Sequence, residues 1–321
     1  GDSLTFAVVV FCFNRPDYLR RTLGSIKKAL PLELAPRLPL FVSQDGTHAG
    51  VASTIRTFAE EAPRERPGWR ITHLEHPPSA QPGESGYHKL AQHFGWALDR
   101  LFGQEAVDRV IILEDDMELA PDFFRYMVGM APLLDEDPTV WSVSAWNDHG
   151  QRQFVQDTAK LLRSDFFPGL GWMLSRSLWS ELGPKWPRAY WDDWMREPQQ
   201  RRGRVTVRPE VCRTYTFGSS GTSHGEFFAK YLDPIRLNDQ DHTFGETERQ
   251  QLRQASYDDT FEREVAQAEL VSLGDVRTHV RGPGVYRVEY SELDKGATSY
   301  AAVARSLGIM DNIKAGVPRG A

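Results

Sequence analysis

Residues Thr5–Phe13 read TFAVVVFCF, an almost unbroken apolar run rich in β-branched and aromatic side chains. The apolar–polar alternation of a strand with one wet face is missing, so the run reads as a strand buried on both faces. The next residues agree with a helix packed on that strand. Pro16 suits the first turn of a helix, and Leu19, Leu23, Ile26 and Leu30 recur at helical spacing. A second run, Leu38–Ser43, ends at the turn signal Asp45-Gly46. A helix-like Val51–Glu61 comes next, then a short strand at Arg70–Leu74 and a loop with Pro77, Pro78, Pro82 and Gly83. An amphipathic helix is expected from Tyr87 to Leu101, with Leu90, Phe94 and Leu98 on one stripe, and Val110–Leu113 is a further buried strand. This order predicts an α/β fold: a mainly parallel sheet flanked by helices. Ligands of such sheets bind beyond the carboxyl ends of the strands. Asn14-Arg15, Gln44-Asp45 and Glu114-Asp115-Asp116 stand at those ends.

Composition bounds the function. The 321 residues are 40% hydrophobic and 26% charged, enough for a large core or two modest ones. Lys plus Arg number 38 against 44 Asp plus Glu, a net charge of −6, which argues against a nucleic-acid-binding face. The longest apolar run, Phe6–Phe13, is less than half a bilayer span, so a soluble chain with no membrane segment in these residues is expected. Cys12 and Cys212 are the cysteines present, which excludes a disulfide framework and leaves a single bridge open. Beyond Phe228 charges become frequent, with a helix-like Glu246–Ala255 and a weaker strand at Val285–Tyr290, read as a smaller C-terminal α+β region. The division expected is a catalytic domain over 1–218, a closing loop or linker over 219–231, and the smaller domain over 232–321. No GxGxxG and no GxxxxGK[ST] occurs.

The acidic triplet is costly without a partner. At roughly 4 Å and an effective dielectric near 20, each like-charged pair repels by about 4 kcal/mol. Strand alternation would set Glu114 and Asp116 on one face and Asp115 on the other. A divalent ion with oxygen ligands relieves the repulsion, and Mg²⁺ or Mn²⁺ binds through one or two carboxylates plus substrate phosphates. A solvated acidic turn leading into a helix near Pro121-Asp122 explains the same residues, and both readings stand at this point.

Trp191-Asp192-Asp193-Trp194 sets carboxylates beside large rings, where desolvation can raise a pKa toward that of a working base. The alternative is that the Trp residues anchor the core and the Asp residues cap the next helix. Asp165–Trp172 (DFFPGLGW) has Gly where backbone passes close to a ligand or a neighbouring strand, and its aromatic residues suit the core. Gly218–Gly225 (GSSGTSHG) reads as a flexible hydroxyl-rich loop or linker. Its GTSHG fits GxSxG, with no buried strand running into the turn as a nucleophile elbow requires. His48, His73, His76, His88 and His93 show no zinc-ligand spacing.

Read together, several segments resemble one family in order along nearly the whole chain: Val42–Asp45, Glu114–Asp116 with Ala120–Phe124, Val143–Asp148, Asp165–Trp172, Pro184–Pro187, Trp191–Arg196, Arg208–Glu210, Ser223-His224-Gly225 with Phe227-Phe228, and Gly316–Arg319. They closely resemble the N-acetylglucosaminyltransferase I family, glycosyltransferase family 13, of animals and plants. The resemblance implies a GT-A fold, a Mn²⁺ cofactor and a UDP-GlcNAc donor. It further implies inverting transfer of GlcNAc to the 2-hydroxyl of a mannose on an N-linked high-mannose glycan, in the Golgi lumen. By the same resemblance Asp116 binds the metal, Glu114 contacts the transferred sugar and Asp115 the ribose. Asp45 holds uracil with Arg15 and His93 on the nucleotide side, Asp192 is the base, Leu170 and Trp191 shape the sugar pocket, and Ser223 closes on the diphosphate. Pro16–Leu19 is similar to the related protein O-mannose N-acetylglucosaminyltransferase, so an O-mannose acceptor is the variant reading, and a non-catalytic lectin-like homologue the alternative class. Phe13-Asn14-Arg15 and Gly46 stand where the family often has Cys-Asp-Arg and a partner Cys. The ending soon after Arg319 implies a shortened second domain.

Overall fold

The computed structural model describes residues 4–77, 83–105, 107–219, 228–278, 285–291, 296 and 298–321. The elements run β1 Phe6–Cys12, α1 Pro16–Ala29, β2 Leu40–Asp45, α2 Ala49–Glu65, β3 Ile71–His76, α3 Gly86–Gln104, β4 Arg109–Glu114 and β5 Met117–Leu119. Then come α4 Phe123–Met130, α5 Leu133–Glu136, β6 Val140–Ser144, β7 Leu161–Ser164, β8 Trp172–Ser175, α6 Arg176–Leu182, α7 Trp191–Arg196, α8 Pro198–Arg201, β9 Val205–Pro209 and β10 Thr214–Thr216. The helices α9 Glu246–Leu252 and α10 Gln254–Gln267 complete the set used below.

One 8-stranded sheet organises the chain, in the order β3-β2-β1-β4-β8-β6-β9-β7. The half from β3 to β4 is parallel throughout, as β1 is to β2 and β4, and β2 is to β3. β8 runs antiparallel to both β4 and β6, β9 is parallel to β6, and β7 closes the edge antiparallel to β9. This is the mainly parallel, helix-flanked sheet expected.

The first strand shows why. Phe6, Val8, Val10 and Cys12 enter the core under α1 and α2, while Ala7, Val9 and Phe11 enter the core under α3. Alternate side chains go to opposite faces, and both faces are dry, so the sequence needs no polar alternation. Leu19, Leu23 and Ile26 form the buried stripe of α1. The expected helix Glu246–Ala255 is broken at Arg253 into α9 and α10. The strand expected at Val285–Tyr290 is confined to Tyr286–Arg287. Phe244 and Leu252 join the α1/α2 core, and a Cβ on Gly129 of α4 would come within 2.4 Å of the Phe244 carbonyl, so helix and C-terminal segment meet backbone to backbone. Cys12 and Cys212 are both free and buried, so the open bridge does not form. Among the described residues no helix is long and apolar enough to cross a membrane.

Candidate active site

The carboxyl ends of the parallel strands line up in register. Phe11 of β1 is level with Glu114, Cys12 with Gln44, and Asp45 of β2 with His76 of β3. The polar residues just past these strands therefore gather along one edge of the sheet.

At its centre, Arg15 precedes α1 and reaches the acidic triplet. Its Nη2 pairs with Asp115 Oδ1 and lies 3.2 Å from Asp116 Oδ2. This corrects the expected alternation: β4 ends at Glu114, and residues 115 and 116 form the turn into β5, which swings both carboxylates under one guanidinium. One cation among such acids leaves negative charge in excess. Burial pushes the Glu114 carboxyl up to about 8, with Asp116, Asp115 and Asp192 adding to the shift and Arg15 opposing it. Burial likewise raises Asp115 to about 6 against Arg15.

Asp116 also sits in a fitted cradle. The Phe217 N–H donates to its carbonyl at 2.9 Å, and a Cβ on Gly218 would come within 2.2 Å of Oδ2. Only glycine lets the main chain pass so close to this carboxylate. No cluster of three or more His, Cys, Asp or Glu suited to a metal exists among the described residues. The donor set still fits a hard divalent ion bound through one carboxylate, with phosphate and water completing the shell.

A second group of the expected site residues is built on β2, β3 and α3. Asp45 Oδ1 lies 2.7 Å from His76 Nδ1. His93 lies beneath, its Nε2 2.7 Å from Ser43 Oγ, and burial holds it down at about 3, well below the usual histidine value. It is thus a neutral support under the site. The exposed Phe13 ring and Gly46 are neighbours, the place of the missing cysteine pair: a Cβ on Gly46 would lie 3.8 Å from Phe13 Cε2.

Beside these strands, packed on α3 through Trp191 and Phe94, stands α7. Trp191 is only 6% exposed and stacks on Phe94, Trp172 and Trp186 at centroid distances of 4.8, 5.7 and 5.9 Å, so its ring is a core anchor. Asp192 and Asp193 fall in the first turn, where the helix dipole favours negative charge. Arg196 Nη1 lies 2.9 Å from Asp192 Oδ2 and 2.8 Å from Asp193 Oδ1. Lys314 Nζ reaches Asp193 Oδ2 at 3.0 Å. The expectation that the Trp residues raise these acids fails at Asp193: burial works upward, but Lys314 and Arg196 outweigh it and hold the carboxyl low. The Asp192 side chain stays 44% exposed.

Leu170 takes a left-handed φ of 51° between Gly169 and Gly171, and its carbonyl accepts from Thr214 Oγ1 at 2.7 Å. A Cβ on Gly171 would come within 2.6 Å of Thr214, so this glycine serves a neighbouring strand. Phe166, Phe167 and Trp172 are buried core. Ser223 and the GTSHG stretch lie outside the described residues.

The family model of GNT-I matches residues 2–321. This chain belongs to the GNT-I family. Alpha-1,3-mannosyl-glycoprotein 2-beta-N-acetylglucosaminyltransferase of Arabidopsis thaliana is 44% identical over 323 residues, spanning 99% of this chain and 70% of that protein. Similar solved structures include the mannosyltransferase PcManGT of Pyrobaculum calidifontis in complex with GDP-Man and Mn²⁺, at 21% identity, 64% and 55% coverage of the two chains and TM-score 0.45. S. aureus TarS 1-349 is another, at 13% identity, 67% and 61% coverage and TM-score 0.44. As a GNT-I member the chain is a glycosyltransferase. Local sequence pattern gives no role to His76, Arg196, Gly218 or Lys314, all of which touch candidate site residues of this GNT-I chain.

Proposed function

We propose that this chain transfers N-acetylglucosamine from UDP-GlcNAc to the 2-hydroxyl of an α-linked mannose on a high-mannose N-glycan, in one inverting, Mn²⁺-dependent step. The observation that supports it best is geometric: Phe11, level with Glu114 in the sheet, stacks on Phe94 at 3.8 Å, and Phe94 stacks at 4.8 Å on Trp191, the residue before Asp192, so α7 packs beside the acidic end of β4.

Asp116 is the residue that would hold Mn²⁺. When bound, the ion supplies Lewis-acid charge to the departing UDP. The remaining work falls to the chain. Asp45 accepts from the uracil ring, Asp115 faces the ribose and Glu114 the transferred sugar, with Arg15 and His93 supporting the nucleotide end. Leu170 lines the sugar pocket, and Trp191 backs it from the core. Inversion needs a single in-line attack by the acceptor hydroxyl, whose proton Asp192 takes; general-base assistance contributes on the order of 10²–10⁴ in rate. Arg196 holds one oxygen of Asp192 and so fixes its rotamer. Residues 1–218 form the donor-binding part in this account, with 232–321 as the smaller C-terminal part, and the Golgi lumen is the proposed location.

Radiolabelled UDP-GlcNAc incubated with a mannose-terminated N-glycan, with and without Mn²⁺, tests this. Labelled glycan is expected only with the metal present. Product on an O-mannosyl peptide alone would move the acceptor, and donor binding without any product would leave a sugar-binding homologue.

A further inference from the structure

We propose that His76 is a positioning residue for the donor nucleobase: it fixes the Asp45 carboxylate so that the site selects a pyrimidine bearing an N–H at ring position 3. The inference rests on reading Asp45 as the uracil partner and adds the residue that aims it.

His76 closes β3, and the parallel register sets it level with Asp45 at the end of β2. Its Nδ1 lies 2.7 Å from Asp45 Oδ1. An ionised carboxylate only accepts, so Nδ1 carries the proton. The main chain ties the same turn a second time, as the Gly46 N–H donates to the His76 carbonyl at 3.1 Å. The imidazole is itself held. It stacks on His93 at 5.1 Å with 27° between the planes, and meets Trp96 edge-on at 5.1 Å. His93 is anchored in turn by Ser43. Behind Asp45 there is thus a packed column of rings in place of solvent.

This rigidity has a chemical use. The histidine engages one oxygen of Asp45, and the carboxylate has a second with which to accept from a ligand. Uracil offers an N3–H donor there. Cytosine presents a lone pair at the same position, which a carboxylate repels. A carboxylate locked in one orientation discriminates between the two, whereas one free to rotate adapts to either and loses selectivity.

The test measures donor KM, kcat and the ratio of inhibition by UDP and CDP for the full chain with Mn²⁺, in the parent, His76→Phe, His76→Gln and Asp45→Ala. His76→Phe keeps an aromatic ring and loses the donor. Its KM is expected to rise about tenfold with kcat within about twofold, and the preference for UDP over CDP to fall by a similar factor. His76→Gln, which still offers an N–H, is expected to recover most of both. Should His76→Phe not fold, His76→Asn, whose amide falls short of Asp45, takes its place with the same expectations. A variant without the donor that folds and keeps the parent KM and UDP preference overturns the proposal. So does a loss of kcat with unchanged base preference, which would mark a merely structural residue. Asp45→Ala separates the layers: if it loses the UDP preference while His76→Phe does not, only the positioning role falls. If Asp45→Ala keeps that preference, the uracil reading falls and takes this inference with it.

Discussion

Arg196 Nη1 lies 2.9 Å from Oδ2 of Asp192, one helical turn back along α7. The same guanidinium donates through Nε to the Phe167 carbonyl at 3.0 Å and lies 4.8 Å over the Phe166 ring. The candidate base is therefore aimed by a buried arginine that is itself held by a carbonyl and a ring.

Arg196→Lys keeps the charge but not the planar fork, and an ammonium cannot serve Phe167 and both carboxylates together. Donor affinity should stay near the parent value while transfer falls roughly tenfold to a hundredfold, because the base loses its aim. Steady-state kinetics alongside a direct titration with UDP-GlcNAc and Mn²⁺ separates the two effects. Loss of donor affinity in step with rate would show that Arg196 serves the nucleotide side instead.

Gly218→Ala places a methyl group within 2.2 Å of Asp116 Oδ2. The carboxylate must rotate or the main chain must shift, and either disturbs the candidate metal site. Mn²⁺-dependent UDP binding should weaken on the order of tenfold or more, with the melting temperature little changed since no core residue is touched. Isothermal titration with Mn²⁺ and UDP checks this, and unchanged affinity would remove Asp116 from the metal site.

His149 gives a pH signature for the fold. Burial holds its imidazole at about 4, against Asp148, whose charge works the other way. The folded value lies below the unfolded one of roughly 6.5, so between these limits the unfolded chain binds the extra proton and stability falls as pH falls. Replacing His149 with Gln removes this contribution while leaving the carboxyl groups common to both proteins. The stability deficit of His149→Gln relative to the parent should therefore shrink by on the order of 1 kcal/mol between pH 7.5 and pH 5.5. Urea unfolding at the two pH values measures it, and a constant deficit would mean that His149 titrates alike in both states.

The parts legible in the sequence are those whose physics is local. β1, β2 and β4 announce themselves because both their faces are dry. The stripe Leu19, Leu23, Ile26 marks α1 in the same local way, by its spacing alone. The order β4-β8-β6-β9-β7 was not legible, because short strands carry little periodicity and their pairing is set by contacts distant in sequence. At the site, the motif residues were visible as types, but their supports were not. Lys314 meets Asp193 from 121 residues away, and Arg319 meets Asp148 from 171 residues away. No local pattern encodes either contact. The turn at Asp115-Asp116 departs from strand alternation because alternation holds only while the strand lasts, and β4 ends at Glu114, before both of them.

The central claim is a division of labour between Asp116 and Asp192, and Asp192→Asn tests it most directly. The substitution keeps size and shape but removes the basic oxygen. With Mn²⁺ present it should bind UDP-GlcNAc as tightly as the parent, while transfer to a mannose-terminated N-glycan falls by on the order of 10² or more. Near-parental turnover in Asp192→Asn would contradict the account.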